Sequence, residues 1–352
     1  MSSCPPHPNP LPPQAGGEGK SAGVLGPLRR VAGEREGTRR GSAGEGEVAS
    51  PAAADPSDIR PDDWVERRLP ASARPYARLA RLDRPIGTWL LLFPGWWGVA
   101  LAGRRWPDPV LLALFALGAL AMRGAGCTLN DIADRNYDRQ VARTRLRPLP
   151  SGAVGVPQAI AFLAVQLAVG AAVLFSLNRT SILLGFLVLG LIATYPFMKR
   201  ITYWPQIFLG LNFNWGALIG WTAVTGALTW PPVLLYLGGV LWTIGYDTIY
   251  AHQDKEDDVR IGVKSSALAL AAGTRPWLFA FYAAALAFWA MAGRSAAEGG
   301  LFWAGLALAA LQLGWQAARV DINDPADCLG KFRSNRIVGW LMLAGIVASR
   351  VW

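Results

Sequence analysis

The sequence predicts an all-α integral membrane protein, and three observations support this class. Hydrophobic residues make up 52% of the 352 residues and charged residues only 16%. Ordinary soluble domains carry about 25% charged residues, so this composition is typical of a membrane protein. After residue 85 the apolar residues fall into nine segments, each near the ~20 residues that a helix needs to cross a bilayer. The basic residues lie mainly between these segments, as the topology of membrane helices requires.

The nine apolar segments are predicted to be nine transmembrane helices. They span 86–103, 109–129, 154–176, 180–198, 205–224, 231–251, 275–293, 299–318 and 336–351. The first segment is preceded by Leu82, Asp83, Arg84 and Pro85, and proline suits the start of a helix. Asp83 and Arg84 are therefore either a plain helix cap or part of a functional site.

The part of the chain before the first segment divides into two regions. Residues 1–60 are rich in Pro, Gly and Arg without apolar periodicity, which predicts a disordered tail. Residues 61–85 are predicted to be an amphipathic lead-in to the membrane domain, which occupies 86–352. Arginines in the tail are compatible with a mitochondrial transit peptide, but five glutamates within the first 47 residues argue against one.

The distribution of basic residues predicts the orientation in the membrane. Counted with the first residue of the next segment, the loops after segments 2, 4, 6 and 8 carry fifteen Lys and Arg, and the other loops carry four. The positive-inside rule therefore places the N-terminus and the loops after even-numbered segments in the cytoplasm. The predicted location is the bacterial inner membrane, with the mitochondrial inner membrane as the alternative.

Composition also argues against several other classes of site and partner. The three cysteines form no CxxC pair, so neither a disulfide framework nor a zinc site is indicated. Only two histidines are present, which disfavours a metal centre built on His. The net charge of +10 is explained by topology and anion binding at the membrane boundary, and no nucleic-acid partner is expected.

Acidic residues in the membrane-embedded part are concentrated in two clusters. From residue 85 onward the chain has thirteen Asp and Glu, and eight of them fall in two short stretches. In the first stretch Asn130, Asp134 and Asp138 are spaced i, i+4, i+8 and share one face of a helix. Asp131 lies one step off that face.

The second cluster contains Asp247, Asp254 and Asp258, which share one face if the helix continues through them. Glu256 and Asp257 fall elsewhere. Carboxylates at membrane depth are costly and require compensation. Two such faces suit a hard cation, and Mg²⁺, which takes a few carboxylates plus phosphate oxygens, fits better than a Ca²⁺ cage. For any single Asp the alternative is a helix-end charge paired with a local arginine.

Basic residues accompany both clusters. Arg143 and Arg147 follow the first, Lys264 follows the second, and Lys199 and Arg200 follow the fourth apolar segment. Positive charge in addition to a metal ion suits a diphosphate, which arginine can bind with two parallel hydrogen bonds. The alternative for each residue is a role in topology or in contact with lipid headgroups.

Both acidic stretches resemble a known family. NDIADRNYDRQVARTRLRPLPSG resembles the first Asp-rich motif of the UbiA-type intramembrane prenyltransferases, and YDTIYAHQDKEDDVRIGVKSSA resembles the second. LDRPIGTWLLLFP and YPFMKRITYWPQ resemble the branch that prenylates 4-hydroxybenzoate in ubiquinone biosynthesis. The resemblance runs from about residue 75 to the C-terminus.

The resemblance implies a bundle of nine transmembrane helices around a central cavity with cytoplasmic cap loops. It implies transfer of a polyprenyl group from a polyprenyl diphosphate to 4-hydroxybenzoate with Mg²⁺ as cofactor, within the lipid bilayer. The implied metal and diphosphate ligands are Asn130, Asp131, Asp134, Asp138, Asp247, Asp254 and Asp258. The implied substrate-binding cations are Arg84, Arg143, Arg147, Lys199, Arg200 and Lys264. The implied catalytic residues are Asp134, Asp247, Asp254 and Arg200, with Asp247 orienting or deprotonating the phenol.

Three other interpretations compete with this one at the level of sequence. Another acceptor of the same family, such as homogentisate, dihydroxynaphthoate or haem, would use the same motifs. A CDP-alcohol phosphotransferase would need an Asp-Gly-x-x-Ala-Arg run, which the chain does not contain. A cation transporter would place acids along several helices at mid-membrane. Trp215 and Trp242, within predicted helices, are candidates to line an isoprenoid channel or to stabilise a cation by their ring faces, and the alternative for tryptophan is the interfacial aromatic belt.

Overall fold

The computed structural model describes residues 59, 63–141, 144–255, 259–260, 262 and 264–352, without the side chains of 196, 197, 199 and 200. Within these residues every regular element is helical, which confirms the predicted all-α class. Apart from residue 59, the predicted tail lies outside the described residues, so its disorder stays a prediction. Arg143, Glu256, Asp257 and Asp258 also lie outside them.

The helices follow one another with short connections. In chain order they are α1 (Trp64–Arg68), α2 (Arg74–Leu79), α3 (Ile86–Ala102), α4 (Pro109–Asp138), α5 (Val156–Phe175), α6 (Arg179–Ile201), α7 (Pro205–Phe213), α8 (Gly216–Thr225), α9 (Trp230–Ala251), α10 (Ser266–Leu270), α11 (Thr274–Ser295), α12 (Gly300–Arg319) and α13 (Pro325–Val351). Two 3₁₀ turns, His252–Asp254 and Ala271–Gly273, precede α10 and α11 respectively.

Within the described residues, six helical stretches are long and apolar enough to cross a membrane. They are Pro109–Asp138, Val156–Phe175, Pro205–Thr225, Trp230–Asp254, Ser266–Ser295 and Gly300–Arg319. Two shorter apolar helices, Ile86–Ala102 and Arg179–Tyr195, accompany them. Helix α13 carries five charged residues, which lowers its hydropathy. The protein is thus a multi-pass membrane protein, and the total of nine spans stays a prediction.

The segment predicted as one helix over 205–224 is interrupted in the structure. Helix α7 ends at Phe213 and α8 begins at Gly216. Between them the buried Asn214 side chain donates from Nδ2 to the carbonyl oxygen of Gly210 (2.9 Å) and to Oγ1 of Thr243 (2.8 Å). Asparagine competes in this way for backbone hydrogen bonds, and the apolar pattern alone does not reveal it.

The last helix is longer than its apolar pattern. It begins at Pro325, eleven residues before the predicted start at 336. Asp324 caps it by accepting a hydrogen bond from the backbone nitrogen of Ala326 (2.8 Å), and Pro325 occupies the first turn. This extension carries Lys331 and Arg333, and Arg333 lines the cavity described below, as does Arg336 at the predicted start.

Packing at the centre of the bundle is aromatic. Trp97, Trp242 and Trp289 are fully buried and contact one another edge to face or tilted. The Trp242 indole donates to Oδ1 of Asn335 (2.7 Å), and the Trp215 indole donates to the Leu184 carbonyl oxygen (2.9 Å). Trp242 thus belongs to the packed core and Trp215 packs against it, and a role of either residue toward an isoprenoid or a cation stays a prediction.

Candidate active site

A cavity of about 1330 Å³ opens at the end of the bundle that carries both acidic stretches. Its wall is formed by residues of α3, α4, α6, α7, α9 and α13, by the loops that follow α4 and α9, and by the lead-in before α3. Charged groups from both acidic stretches lie on this wall, and so do apolar side chains such as Trp89, Leu90, Leu209 and Phe213. The cavity can therefore take a ligand with a polar end and a hydrocarbon end.

Helix α4 places the first acidic stretch on the cavity wall. The helix runs unbroken to Asp138, so Asn130, Asp134 and Asp138 lie on successive turns of one face, and all three line the cavity. Asp134 is largely buried. These three groups supply hard oxygen donors along one side of the cavity.

Asp131 also lies at the wall, but it is held by arginine. Nη2 of Arg81 lies 2.7 Å from Oδ1 and 3.0 Å from Oδ2 of the Asp131 carboxylate. Nη1 of Arg147 lies 3.6 Å from Oδ1. The structure thus separates Asp131 from the rest of its stretch, because both its oxygens already face a guanidinium.

Arg147 is positioned by the loop after α4. Thr144 Oγ1 donates to the Asp138 carbonyl oxygen (2.9 Å), and Nη1 of Arg147 donates to Oδ2 of Asp138 (3.2 Å). This loop folds the guanidinium back over the acidic face, where it lines the cavity. A cation predicted to bind diphosphate therefore lies directly beside a predicted metal ligand.

The second acidic stretch is not one continuous helix. Helix α9 ends at Ala251, and His252–Asp254 forms a 3₁₀ turn, so the predicted shared helical face stops after Asp247. Asp247 and Asp254 nevertheless both line the cavity that Asn130, Asp134 and Asp138 also line. Tertiary packing, and not helical periodicity, brings these two carboxylates to the same wall.

Of the remaining predicted cations, two line the cavity and two are described without their side chains. Lys264 lines the cavity, and its Nζ donates to the Ile201 carbonyl oxygen (3.1 Å). Arg84 lines the cavity and pairs with Asp83 at 2.8 Å. Helix α3 has Pro85 as its cap residue, without a side-chain cap bond, so Asp83 is not a helix cap. For Lys199 and Arg200 only the backbone, in α6, is described, and the prediction for their side chains stands untested.

Several residues on the cavity wall were missed by the sequence reasoning. They are Arg81, Arg123, Tyr195, Gln206, Tyr246, Arg333 and Arg336. Arg123 had a signal, because it is the one charged residue within the apolar segment 109–129, and a charge at membrane depth is a functional candidate by default. Its guanidinium lies 5.4 Å from the ring centroid of Phe213. A Cβ atom at Gly87 would collide with it, so glycine there leaves room for the arginine.

The donor set fits magnesium shared with a diphosphate better than a site made by protein alone. Among the described residues, no three His, Cys, Asp or Glu stand close enough together to hold a metal ion. Mg²⁺ is usually bound by one or two carboxylates, with substrate phosphate oxygens and water completing the shell. Asn130, Asp134 and Asp138 of α4 and Asp254 of the turn after α9 offer such ligands to a diphosphate in the cavity.

Comparison with known proteins agrees with this geometry. Residues 91–343 match the model of the UbiA prenyltransferase family. The chain belongs to this family. It is 50% identical over 295 residues to "4-hydroxybenzoate polyprenyltransferase, mitochondrial" of Arabidopsis thaliana, covering 83% of this chain and 72% of the relative. It is 48% identical over 287 residues to the human protein of the same name, covering 80% of this chain and 77% of the relative.

Solved structures of UbiA homologues share the fold. One from Aeropyrum pernix K1, without ligand, is 31% identical with a TM-score of 0.64, covering 74% of this chain and 97% of that one. One from Archaeoglobus fulgidus, bound to GPP and Mg²⁺, has a TM-score of 0.55 at 18% identity, covering 78% and 99%. The helical bundle of this UbiA-family protein is therefore the fold expected from its sequence motifs.

Proposed function

We propose that this protein transfers a polyprenyl group from an allylic polyprenyl diphosphate to 4-hydroxybenzoate, ortho to the hydroxyl, in ubiquinone biosynthesis. The observation that carries the proposal is a single cavity lined by acidic residues of both stretches, by the half-buried Arg123 and by apolar side chains. The names of relatives that are 48–50% identical over the aligned residues support the same acceptor.

The polar end of the cavity suits the diphosphate. Asn130, Asp134, Asp138 and Asp254 would hold Mg²⁺, which supplies positive charge against the charge that develops on the departing diphosphate. Arg147 lies beside these acids and can form two parallel hydrogen bonds to phosphate oxygens. Breaking the carbon–oxygen bond leaves an allylic cation, and the apolar wall excludes the water that would hydrolyse it.

The inner part of the cavity suits the aromatic acid. We assign the carboxylate of 4-hydroxybenzoate to Arg123, because it lines the cavity from α4 about two helical turns before Asn130. Asp247, which lines the same cavity from α9, would accept the phenolic proton and so raise the electron density of the ring. The ortho carbon then forms the new carbon–carbon bond. Transfer of its proton to the released diphosphate or to water restores the aromatic ring, and Asp247 returns its proton to the phenolate oxygen.

Product formation in proteoliposomes tests this proposal. Full-length protein given geranyl diphosphate and 4-hydroxybenzoate should form prenylated product with Mg²⁺ and none after chelation with EDTA. Homogentisate and 1,4-dihydroxy-2-naphthoate, offered in parallel, separate the acceptors within the family. Mg²⁺-dependent prenylation of another acceptor in preference to 4-hydroxybenzoate would replace the acceptor. Folded protein without any prenylated product would overturn the proposal.

The compartment of the protein is a separate proposal, and two observations favour different compartments. The relatives named above are mitochondrial proteins by name, which favours the mitochondrial inner membrane over the bacterial one predicted from the sequence. The glutamates among the first 47 residues are untypical of an import signal. A fusion of residues 1–75 to a fluorescent protein in yeast decides between the two compartments. Import into mitochondria with removal of the leader supports the mitochondrial membrane, and diffuse fluorescence supports the bacterial membrane.

A further inference from the structure

In the lead-in before α3, the turn after α2 has an arginine at a position where glycine is usual. After α2, the backbone nitrogen of Arg81 donates to the Arg78 carbonyl oxygen (3.0 Å) and that of Leu82 donates to the Ala77 carbonyl oxygen (2.9 Å). These two bonds are those of a Schellman helix end, in which the residue after the cap adopts left-handed φ and is usually glycine. Here that residue is Arg81, with φ of 58°. A strained position of this kind is retained only where the surroundings impose it.

What the turn achieves is the placement of a guanidinium. The Arg81 side chain is 8% exposed and the Asp131 side chain 2%. Nη2 of Arg81 contacts both carboxylate oxygens of Asp131, and its Nη1 donates to the Arg78 carbonyl oxygen (2.9 Å). The pair joins the lead-in to α4 across 50 residues of sequence. A buried carboxylate of this kind depends on its partner, because an unpaired charge there is strongly unfavourable.

Asp131 in turn connects Arg81 to the cavity. Nη1 of Arg147 lies between two carboxylates, 3.6 Å from Oδ1 of Asp131 and 3.2 Å from Oδ2 of Asp138. The four groups thus alternate in charge from the lead-in to the acidic face. Asp131 stands one helical step off the face that carries Asn130, Asp134 and Asp138, as their spacing in sequence requires.

We propose that Arg81 is a positioning residue for the diphosphate site and that Asp131 is its structural anion, not a ligand of the cation. By this assignment Arg81 holds Asp131, Asp131 holds Arg147, and Arg147 is presented to the diphosphate beside Asp138. The part that concerns diphosphate rests on the proposed function. The pairing of Arg81 with Asp131 does not, and the two are tested separately.

The first test asks whether Arg81 is needed for its charge or only for its turn. Arg81→Gly relieves the left-handed φ, since glycine adopts it without strain, but removes the guanidinium. We expect this variant to unfold at a lower temperature than the parent and to show a donor KM raised about tenfold with kcat less affected, as for loss of a supporting contact. Arg81→Lys, which restores a charge, should recover part of the donor KM. An Arg81→Gly variant with unchanged donor KM and unchanged unfolding temperature would show that only the turn matters.

A double-mutant cycle tests the pair without any substrate. Arg81→Met and Asp131→Asn should each lower the thermal unfolding midpoint, and the double variant should lose less than the sum of the two, because residues in contact are coupled. Additive losses would contradict the pairing. This measurement stands even if no prenyl transfer is found.

The second test asks whether Asp131 binds the cation. Mg²⁺ is titrated in the presence of geranyl diphosphate, and the rise in unfolding temperature is followed. Asp131→Asn should keep a Mg²⁺-dependent rise, with its midpoint raised by the roughly tenfold that loss of a supporting residue gives, while Asp134→Asn should lose the Mg²⁺-dependent rise. Loss of the rise in Asp131→Asn as well would make Asp131 a ligand and overturn its assignment. A parent protein without any Mg²⁺-dependent rise would count against the proposed function, and the cycle above would then decide the pairing alone.

Discussion

Replacing Asp134 by asparagine is expected to lower the rate of prenyl transfer by roughly 10²–10³-fold or more, the range seen when one preorganised electrostatic group is removed. Asp134 lies at the centre of the acidic face of α4, one turn from both Asn130 and Asp138, and its side chain is largely buried in the cavity wall. Asparagine has a similar size but lacks the negative charge that holds a divalent cation against diphosphate. The loss should therefore appear in kcat and in the Mg²⁺ requirement together.

The same helix offers a matched control for this substitution. Asp108 caps the other end of α4 by accepting a hydrogen bond from the backbone nitrogen of Val110 (2.8 Å). Asparagine caps helices about as well as aspartate, so Asp108→Asn should keep both fold and activity. Rates are measured in proteoliposomes at saturating Mg²⁺, and both variants are compared by expression in the membrane. An active Asp134→Asn protein would move the metal site away from α4.

Replacing Arg123 by methionine is expected to raise the KM for 4-hydroxybenzoate by about 10–100-fold, the equivalent of a hydrogen bond to a charged group. Methionine keeps much of the apolar length of arginine but cannot pair with a carboxylate. The donor KM and the Mg²⁺ midpoint should change little, because Arg123 is assigned to the acceptor end of the cavity. Arg123→Lys should give a KM for 4-hydroxybenzoate between those of the parent and of Arg123→Met, because an ammonium offers a point charge where arginine offers a planar fork.

A neutral analogue makes this second prediction specific. The parent protein should prefer 4-hydroxybenzoate to 4-hydroxybenzamide, which lacks the carboxylate charge. In Arg123→Met that preference should largely disappear, as the two acceptors become equivalent at this position. If the variant lost donor binding as strongly as acceptor binding, or kept its preference for the acid, Arg123 would not be the carboxylate partner.

Helical periodicity explains why the first acidic stretch was predictable in detail. The spacing of Asn130, Asp134 and Asp138 needs only an unbroken α-helix to place them on one face, and α4 is unbroken through Asp138. The second stretch did not allow the same inference, because α9 gives way to a 3₁₀ turn at His252. Asp254 reaches the cavity through the path of the chain after α9, which local sequence does not specify.

Arg123 and Arg81 show two different reasons for what sequence reasoning missed. Arg123 is an isolated charge in an apolar segment, so the sequence alone was enough to mark it as a candidate site residue. Arg81 carried no signal in the sequence, since a basic residue before a membrane helix is ordinarily explained by topology. Its role became visible only with its left-handed φ and its contact with Asp131, 50 residues away.

The sequence by itself determined the all-α membrane class, the family, and the residue types that face a cation and a diphosphate. It could do so because bilayer thickness and helical repeat impose regular spacings that a single chain records. Only the tertiary structure decided which charges pair with each other and which face the cavity. Asp131 and Asp134 differ by less than one helical turn in sequence. Asp131 nevertheless pairs with the guanidinium of Arg81, while Asp134 lies on the cavity wall between Asn130 and Asp138. That difference depends on where a distant segment packs, and ion pairing between distant segments leaves no periodic trace in the chain.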